Sequence, residues 1–338
     1  MEKQQIFDII KENPNYYTYN EILQGLQGRT ITKEDLLNCG IPLKVIDRLN
    51  NVVVPYFNQS PIPYNTIEGY TEVYFWGAPG VGRNSAIAAI LNTAERDGLI
   101  NIHPEYFGSY MARLKNIFCD DFAILPPPLQ VESIEYLPFK LQKFTEKQSR
   151  YVSFIECSAE VYQCFHYINA GIELPTQCHQ QTLDILVKFL KGKNRKIHFF
   201  FIDYGKENIR DSNGLTQSDH SNAACTFFRD NNIFGKTTDA IYVVVSKSDL
   251  MPCEKDKRVE YAKEYLYNNH AVFINVLKDK CQRYGINAGK LSVIPFSIGN
   301  VYFQWICDFD NESSKVLIDN LLKVIPTQRR SFFNIFKN

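Results

Sequence analysis

Six runs of strand-favouring residues punctuate the chain, separated by stretches whose apolar positions recur every three to four residues. The runs at 197–202 (IHFFFI) and 240–245 (AIYVVV) are almost continuously apolar, as strands covered on both faces must be. A run at 71–76 (TEVYFW) and one at 291–295 (LSVIP) have the same character. Runs 133–143 and 150–157 are joined by the short connection TEKQS, which predicts an antiparallel hairpin. Helical spacing fills the intervals at 221–228, 259–278 and 313–325, and such crossovers belong to a mainly parallel sheet. Two more helices are expected between the hairpin and the 197–202 strand, one opening near ECSAE at 156–160 and one over 180–190.

The N-terminal part reads differently. Helical patterns at 2–11, 19–26, from Thr32 to Gly40, and at 42–49 carry apolar positions such as Ile6, Ile9, Ile10, Val45, Ile46 and Leu49 without any strand between them. Pro55, Pro61 and Pro63 then mark an extended linker. The expected organisation is therefore a helical appendage over 1–65, a main domain over 66–326, and a basic, aromatic tail over 327–338. The appendage is either a cap packed on the main domain or a protein-interaction module; helices of this kind reveal no chemistry by themselves. Residues 98–132 show little pattern apart from a helix near 110–117 and a stiff bend at Pro126, Pro127 and Pro128.

Composition narrows the function classes. The formal net charge is zero, so nothing in the charge balance favours nucleic acid or an anionic membrane as the main partner. Nine cysteines are scattered without C-x-x-C pairs, which fits reduced thiols better than a disulfide framework or a zinc site. No apolar run approaches the ~20 residues of a membrane span, and the N-terminus lacks a signal-peptide core, so a cytoplasmic location is expected.

The chemistry concentrates at 71–91, TEVYFWGAPGVGRNSAIAAIL: a strand, a glycine-rich turn and a small-residue helix. Gly77, Gly80 and Gly82 permit positive φ and close backbone approach, so the N–H groups through Val81 could cradle an anion at a helix N-terminus. Against G-x-x-x-x-G-K-[ST], the segment G77-A-P-G-V-G82-R83-N84 keeps the glycines and changes the rest. Arg83 stands where a lysine reaches the β- and γ-phosphates, and Asn84 where a hydroxyl binds Mg²⁺, with Ser85 beside it.

In this order, strand and P-loop, hairpin, helices, then three more strands, the chain resembles the Ras-like P-loop GTPase domain over roughly 70–326. The resemblance implies an α/β fold with a mainly parallel sheet and one antiparallel hairpin strand. VVVSKSDL is similar to the guanine-specificity motif [NT]KxD, which would give Ser246, Lys247 and Asp249 base-binding roles. A carboxylate at Asp249 can accept both the N1 and N2 hydrogens of guanine. FIECSAE sits where such domains carry D-x-x-G-[EQ]; Glu156 then takes the Mg-associated position, Ala159 the γ-phosphate glycine and Glu160 the water-orienting residue. Ser297 in PFSIGN matches the loop that touches the base through backbone groups.

The implied cofactor is GTP or GDP with Mg²⁺, held weakly or lost, because the lysine, the Mg²⁺ hydroxyl, the switch glycine and the water-orienting residue are all altered. The expected role is a GTPase-like switch or scaffold with impaired hydrolysis, contacting a protein partner through the N-terminal helices or the hairpin. Two alternatives stay open: an active GTPase with a variant loop, and an ATPase. GAPGVGRNS is also similar to the GPPGVGKT loop of AAA-type ATPases, with Asp203 closing the run HFFFID as a Walker B carboxylate and Tyr204 in the place of its glutamate.

Overall fold

The computed structural model describes residues 3–49, 63, 65–102, 109–118, 122–126 and 128–328. Four short helices come first: α1 (Lys3–Glu12), α2 (Tyr19–Gln27), α3 (Lys33–Asn38) and α4 (Leu43–Arg48). Thr18 and Thr32 start α2 and α3 with reciprocal capping boxes to Glu21 and Asp35. The linker prolines Pro55 and Pro61 lie outside the described residues.

The main domain follows as β1 (Thr71–Trp76), α5 (Arg83–Arg96), β2 (Ile100–Asn101), α6 (Ser109–Asn116), β3 (Phe122–Ile124), β4 (Ile134–Leu141) and β5 (Arg150–Cys157). Next come α7 (Ala159–Asn169), α8 (Gln177–Leu190), β6 (Lys196–Asp203), α9 (Gln217–Asp230) and β7 (Thr238–Ser246). The chain ends with α10 (Arg258–Asn269), α11 (Ala271–Tyr284), β8 (Ser292–Phe296), β9 (Gly299–Tyr302), β10 (Ile306–Phe309) and α12 (Glu312–Val324).

Seven strands form one sheet in the order β2-β4-β5-β1-β6-β7-β8. β5, β1, β6, β7 and β8 are parallel, while β4 pairs antiparallel with β5 through the anticipated hairpin. Alternate residues of each central strand enter opposite cores. Val73, Phe75, Phe199 and Phe201 pack under α5, α6 and α12; Tyr74, Trp76, Phe200 and Ile202 pack under α7, α9 and α11. Because both faces are covered, no polar alternation marks these strands in the sequence.

A second sheet, β3-β10-β9, was not anticipated. Its strands have three or four residues each, too short for a periodic signal. Gly299 opens it, because any side chain there would collide with the Asp308 carbonyl. The β9–β10 turn enters the N-terminal helical unit: Phe303 and Ile306 are buried among Ile10, Tyr19, Ile22 and Val45. Tyr19 N–H donates to the Phe303 carbonyl at 2.9 Å, and Phe303 N–H to the Pro14 carbonyl at 3.0 Å. The helical appendage is thus seated on the hairpin that follows β8.

Two expectations need correction. The single helix expected over 259–278 is two, α10 and α11, broken at His270, whose φ of −134° is not helical; the preceding Asn268 and Asn269 are poor helix formers. The patternless stretch 98–132 contains β2 and β3 besides the expected helix α6. Of the tail, only its start is described, and Gln328 N–H donates to the Ser149 carbonyl at 3.0 Å.

Candidate functional site

Parallel strands bring their carboxyl ends to one edge, and that is where the singled-out residues gather. The Gly77–Gly82 turn follows β1 and leads into α5, Glu156 is the last residue but one of β5, Asp203 closes β6, Ser246 closes β7 and Ser297 follows β8. In register, Ser246 lies opposite both Asp203 and Phe296.

The glycine turn has the form its sequence requires. Gly77 has φ of 152°, and a Cβ there would meet the Phe201 carbonyl and Val81 at 2.8 Å each, so only glycine lets the loop press against β6. Gly82 caps α5 in the left-handed region with φ of 86°. Val81 is buried below the loop, whereas Pro79 and Gly80 form its exposed crest.

Its charged residue goes inward. Arg83 is only 6% exposed, and its guanidinium donates to the Phe75 carbonyl at 3.2 Å. It also acts on Glu156 and Cys157 at the end of β5. Glu156 is 1% exposed; one carboxyl oxygen accepts from the Tyr110 hydroxyl at 2.7 Å and the other has no hydrogen-bond partner among the described residues. Burial pushes its pKa up to about 7 and nearby Glu135 adds to that, against the Tyr110 hydrogen bond and the Arg83 charge, which pull it down. Asn84 is half-buried and Ser85 buried in the first turn of α5.

These donors do not suit Mg²⁺ carrying a triphosphate. The carboxyl is deep and about half protonated at neutral pH, the loop cation is withdrawn, and the usual hydroxyl is an amide. Among the described residues, no group of three or more His, Cys, Asp or Glu is placed to hold a metal ion.

Around the edge, Ala159 begins α7 and Ser158 caps it, accepting from the Glu160 N–H at 3.2 Å. The Glu160 carboxylate turns to His179 at 3.3 Å, on α8. Ser246 donates its hydroxyl to the Ile202 carbonyl at 3.2 Å. Lys247 adopts the left-handed region, φ 56°, and ion-pairs with Asp203 at 2.7 Å; Lys206 reaches the same oxygen at 3.2 Å. One Asp203 oxygen is therefore held by two ammonium groups, while the other has no hydrogen-bond partner among the described residues. Asp249, in the turn after β7, is partly exposed and makes no hydrogen bond or ion pair among the described residues. Ser297 closes a turn instead: its N–H donates to the Ser313 hydroxyl, and its own hydroxyl accepts from the Gly299 N–H at 3.1 Å.

Sequence reasoning missed Tyr110, the Lys247–Asp203 pair and the inward turn of Arg83. Tyr110 opens the helix expected near 110–117, but its partner Glu156 lies 46 positions away; the other two are tertiary contacts between residues 44 and 8 positions apart, and none of the three carries a local pattern.

The sheet order, its single antiparallel hairpin and the strand, glycine turn and helix at its centre give the α/β architecture expected of a Ras-like P-loop domain. No protein family matches the chain as a sequence, and no curated protein does either. Among solved structures it is similar to a nucleolar GTP-binding protein 1 from Plasmodium falciparum, at 14% identity and TM-score 0.31, over 76% of this chain and 89% of that one. It is also similar to the signal recognition particle receptor SRb-GTP/SRX complex from Chaetomium thermophilum, at 13% identity and TM-score 0.36, over 70% and 94%. A third is Roco2 RocCORdC of Methanosarcina barkeri bound to GDP, at 13% identity and TM-score 0.34, over 82% and 55%. Overlaps this loose say nothing about what the chain does. Among the described residues no helix is long and apolar enough to cross a membrane.

Proposed function

We propose that this protein is a GTPase-like switch or scaffold whose phosphate half has been folded inward, so that guanine nucleotide binds weakly or not at all and hydrolysis is negligible. The observation that carries this reading is the buried Arg83, whose guanidinium serves the Phe75 carbonyl and Glu156 instead of the loop crest. A phosphate would have to draw that charge out of the core. Phosphoryl transfer depends almost wholly on positioning and electrostatics, and Glu160, anionic and engaged with His179, supplies neither to a γ-phosphate. The unpaired Asp249 supports a remaining preference for guanine over adenine in whatever binding survives.

In this reading the protein works through its surfaces. Phe144 is fully exposed in the β4–β5 turn, and Leu43 of α4 is 57% exposed on the helical unit. Both support contact with a protein partner through the hairpin or the N-terminal helices.

Calorimetric titration with GTP and ATP, with and without Mg²⁺, tests the proposal. The expected result is weak or undetectable binding, insensitive to Mg²⁺ and favouring GTP. In the triple variant Arg83→Lys, Asn84→Thr, Ala159→Gly, GTP binding strengthens by ~100-fold if the backbone cradle is intact, as regaining two charge-assisted contacts implies. Tight Mg²⁺-dependent binding by the wild type, with turnover that disappears in Arg83→Ala, would overturn the reading.

A further inference from the structure

The loop after β6 and one face of α10 enclose a cleft of about 260 Å³ that the nucleotide reading does not use, lined by Tyr204, Glu207, Tyr261, Glu264, Tyr265 and Asn268 among others. Its volume is below the range of roughly 300–1,000 Å³ typical of small-molecule sites and suits one side chain or a short alkyl ligand. The three tyrosines are tilted walls and not a closed stack: Tyr204 lies 4.9 Å from Tyr265 at 55° and 6.0 Å from Tyr261 at 63°, centroid to centroid.

Their hydroxyls are already engaged. Tyr204 and Tyr261 share a hydrogen bond of 3.2 Å, and Tyr265 donates to Glu207 at 2.9 Å. What remains for a ligand is ring faces and carboxylate oxygens, both electronegative, with the Asn268 amide beside them.

The surrounding charges sharpen the point. Neither Glu207 nor Glu264 has an ion-pair partner among the described residues. The lysines beside them in sequence are occupied: Lys206 by Asp203 at 3.2 Å, Lys263 by Glu260 at 2.8 Å. His270, at the end of α10, is buried, and burial holds its pKa down to about 4, so it is neutral and supplies no cation. Burial and then Glu207 hold the Tyr265 hydroxyl well above its usual range, as a negative field at this spot should. Two uncompensated carboxylates beside three aromatic rings form a cation receptor in chemical terms.

We infer that this cleft binds a primary alkylammonium, carried on a lysine side chain or a free alkylamine, with its stem against the tyrosine rings and its head between Glu207 and Glu264. A quaternary head would satisfy the rings but bring no N–H to the carboxylates, so the primary form is preferred. The inference is independent of nucleotide binding, and its test involves none.

The full chain is titrated with n-butylammonium while the amide signals of Gly205, Asn268 and Asn269 are followed by heteronuclear NMR. Saturable shifts are expected there, smaller with tetramethylammonium and absent with 1-butanol. Glu207→Gln and Glu264→Gln each weaken binding about tenfold, the effect of one charge-assisted contact. Glu264→Lys, on an exposed helix position, abolishes the shifts while circular dichroism stays that of the wild type. The peptide acetyl-Ala-Lys-Ala-amide identifies the source: tighter binding than n-butylammonium assigns a protein side chain, weaker binding a free amine. Absence of saturable shifts with both probes, equal response to n-butylammonium and 1-butanol, or unchanged affinity in both Gln variants would each overturn the inference.

Discussion

The two halves of the carboxyl edge have gone different ways. At the glycine-turn end, Arg83 and Glu156 are 6% and 1% exposed and answer to each other's charge and to Phe75 and Tyr110. At the β7 end, Lys247 lies on Asp203 at the rim, and Asp249 stands in the turn beyond it with no hydrogen bond or ion pair among the described residues. A charged residue that meets its partner inside the core has become part of what holds the fold together. One that meets none is still available to a ligand. The difference lies in burial rather than in how far each motif departs from its consensus, since Arg83 keeps the charge of the lysine it replaces.

Arg83→Ala should break the comparison most violently. It leaves the Phe75 carbonyl without its charged donor and empties a buried site beside Glu156, and a loss of about 3 kcal/mol in urea unfolding is expected. A loss under ~1 kcal/mol would mean that Arg83 is a solvated loop residue after all.

Glu156→Gln comes next, through pH. Its folded pKa of about 7 is raised above the ordinary 4.5, so the native state holds a proton that the unfolded chain has released. The stability from this group is complete below pH ~4.5 and is lost as pH rises through about 7, by about 3 kcal/mol in total. Wild type should therefore weaken relative to Glu156→Gln across that interval. Parallel stability profiles for the two proteins would show that Glu156 is not a buried, proton-holding carboxyl.

Lys247→Met is expected to cost about 1 kcal/mol, because the side chain is 38% exposed, its charge is screened by water, and Lys206 remains on Asp203. Asp249→Ala should move the melting temperature least, within the ~0.5 kcal/mol of an ordinary surface change. Any guanine preference, however, should fall by ~30-fold, from the loss of a charge-assisted pair. Clear destabilisation by Asp249→Ala would erase the distinction between the two halves.

Much of this was legible in the sequence, and the physical reason is the same in each case. Strands β6 and β7 announce themselves because burial on both faces demands apolar runs, and the β4–β5 hairpin because the eight residues 142–149 leave no room for a crossover. The glycine turn was readable because Gly77 and Gly82 are backbone requirements, local to the residue. What escaped was decided at a distance. Whether Arg83 points over its loop or under it depends on Glu156 and Tyr110, brought there by β5 and α6. The β9–β10 hairpin derives its stability from β3 and the N-terminal helices, so its own few residues carry no pattern.

That hairpin also sets an order of assembly. Asn15 donates its side-chain amide to the Val301 carbonyl at 2.7 Å, across 286 positions of sequence. Helices α1–α4 therefore wait for strands 286 positions further along the chain before Phe303 can fill the space between Tyr19 and Val45. A contact of such span contributes nothing until the intervening chain has been closed into a loop. Pulse-labelled hydrogen exchange should see protection in α2 arise together with that in β10, and protection of α2 well ahead of it would show that the helical unit needs no such partner.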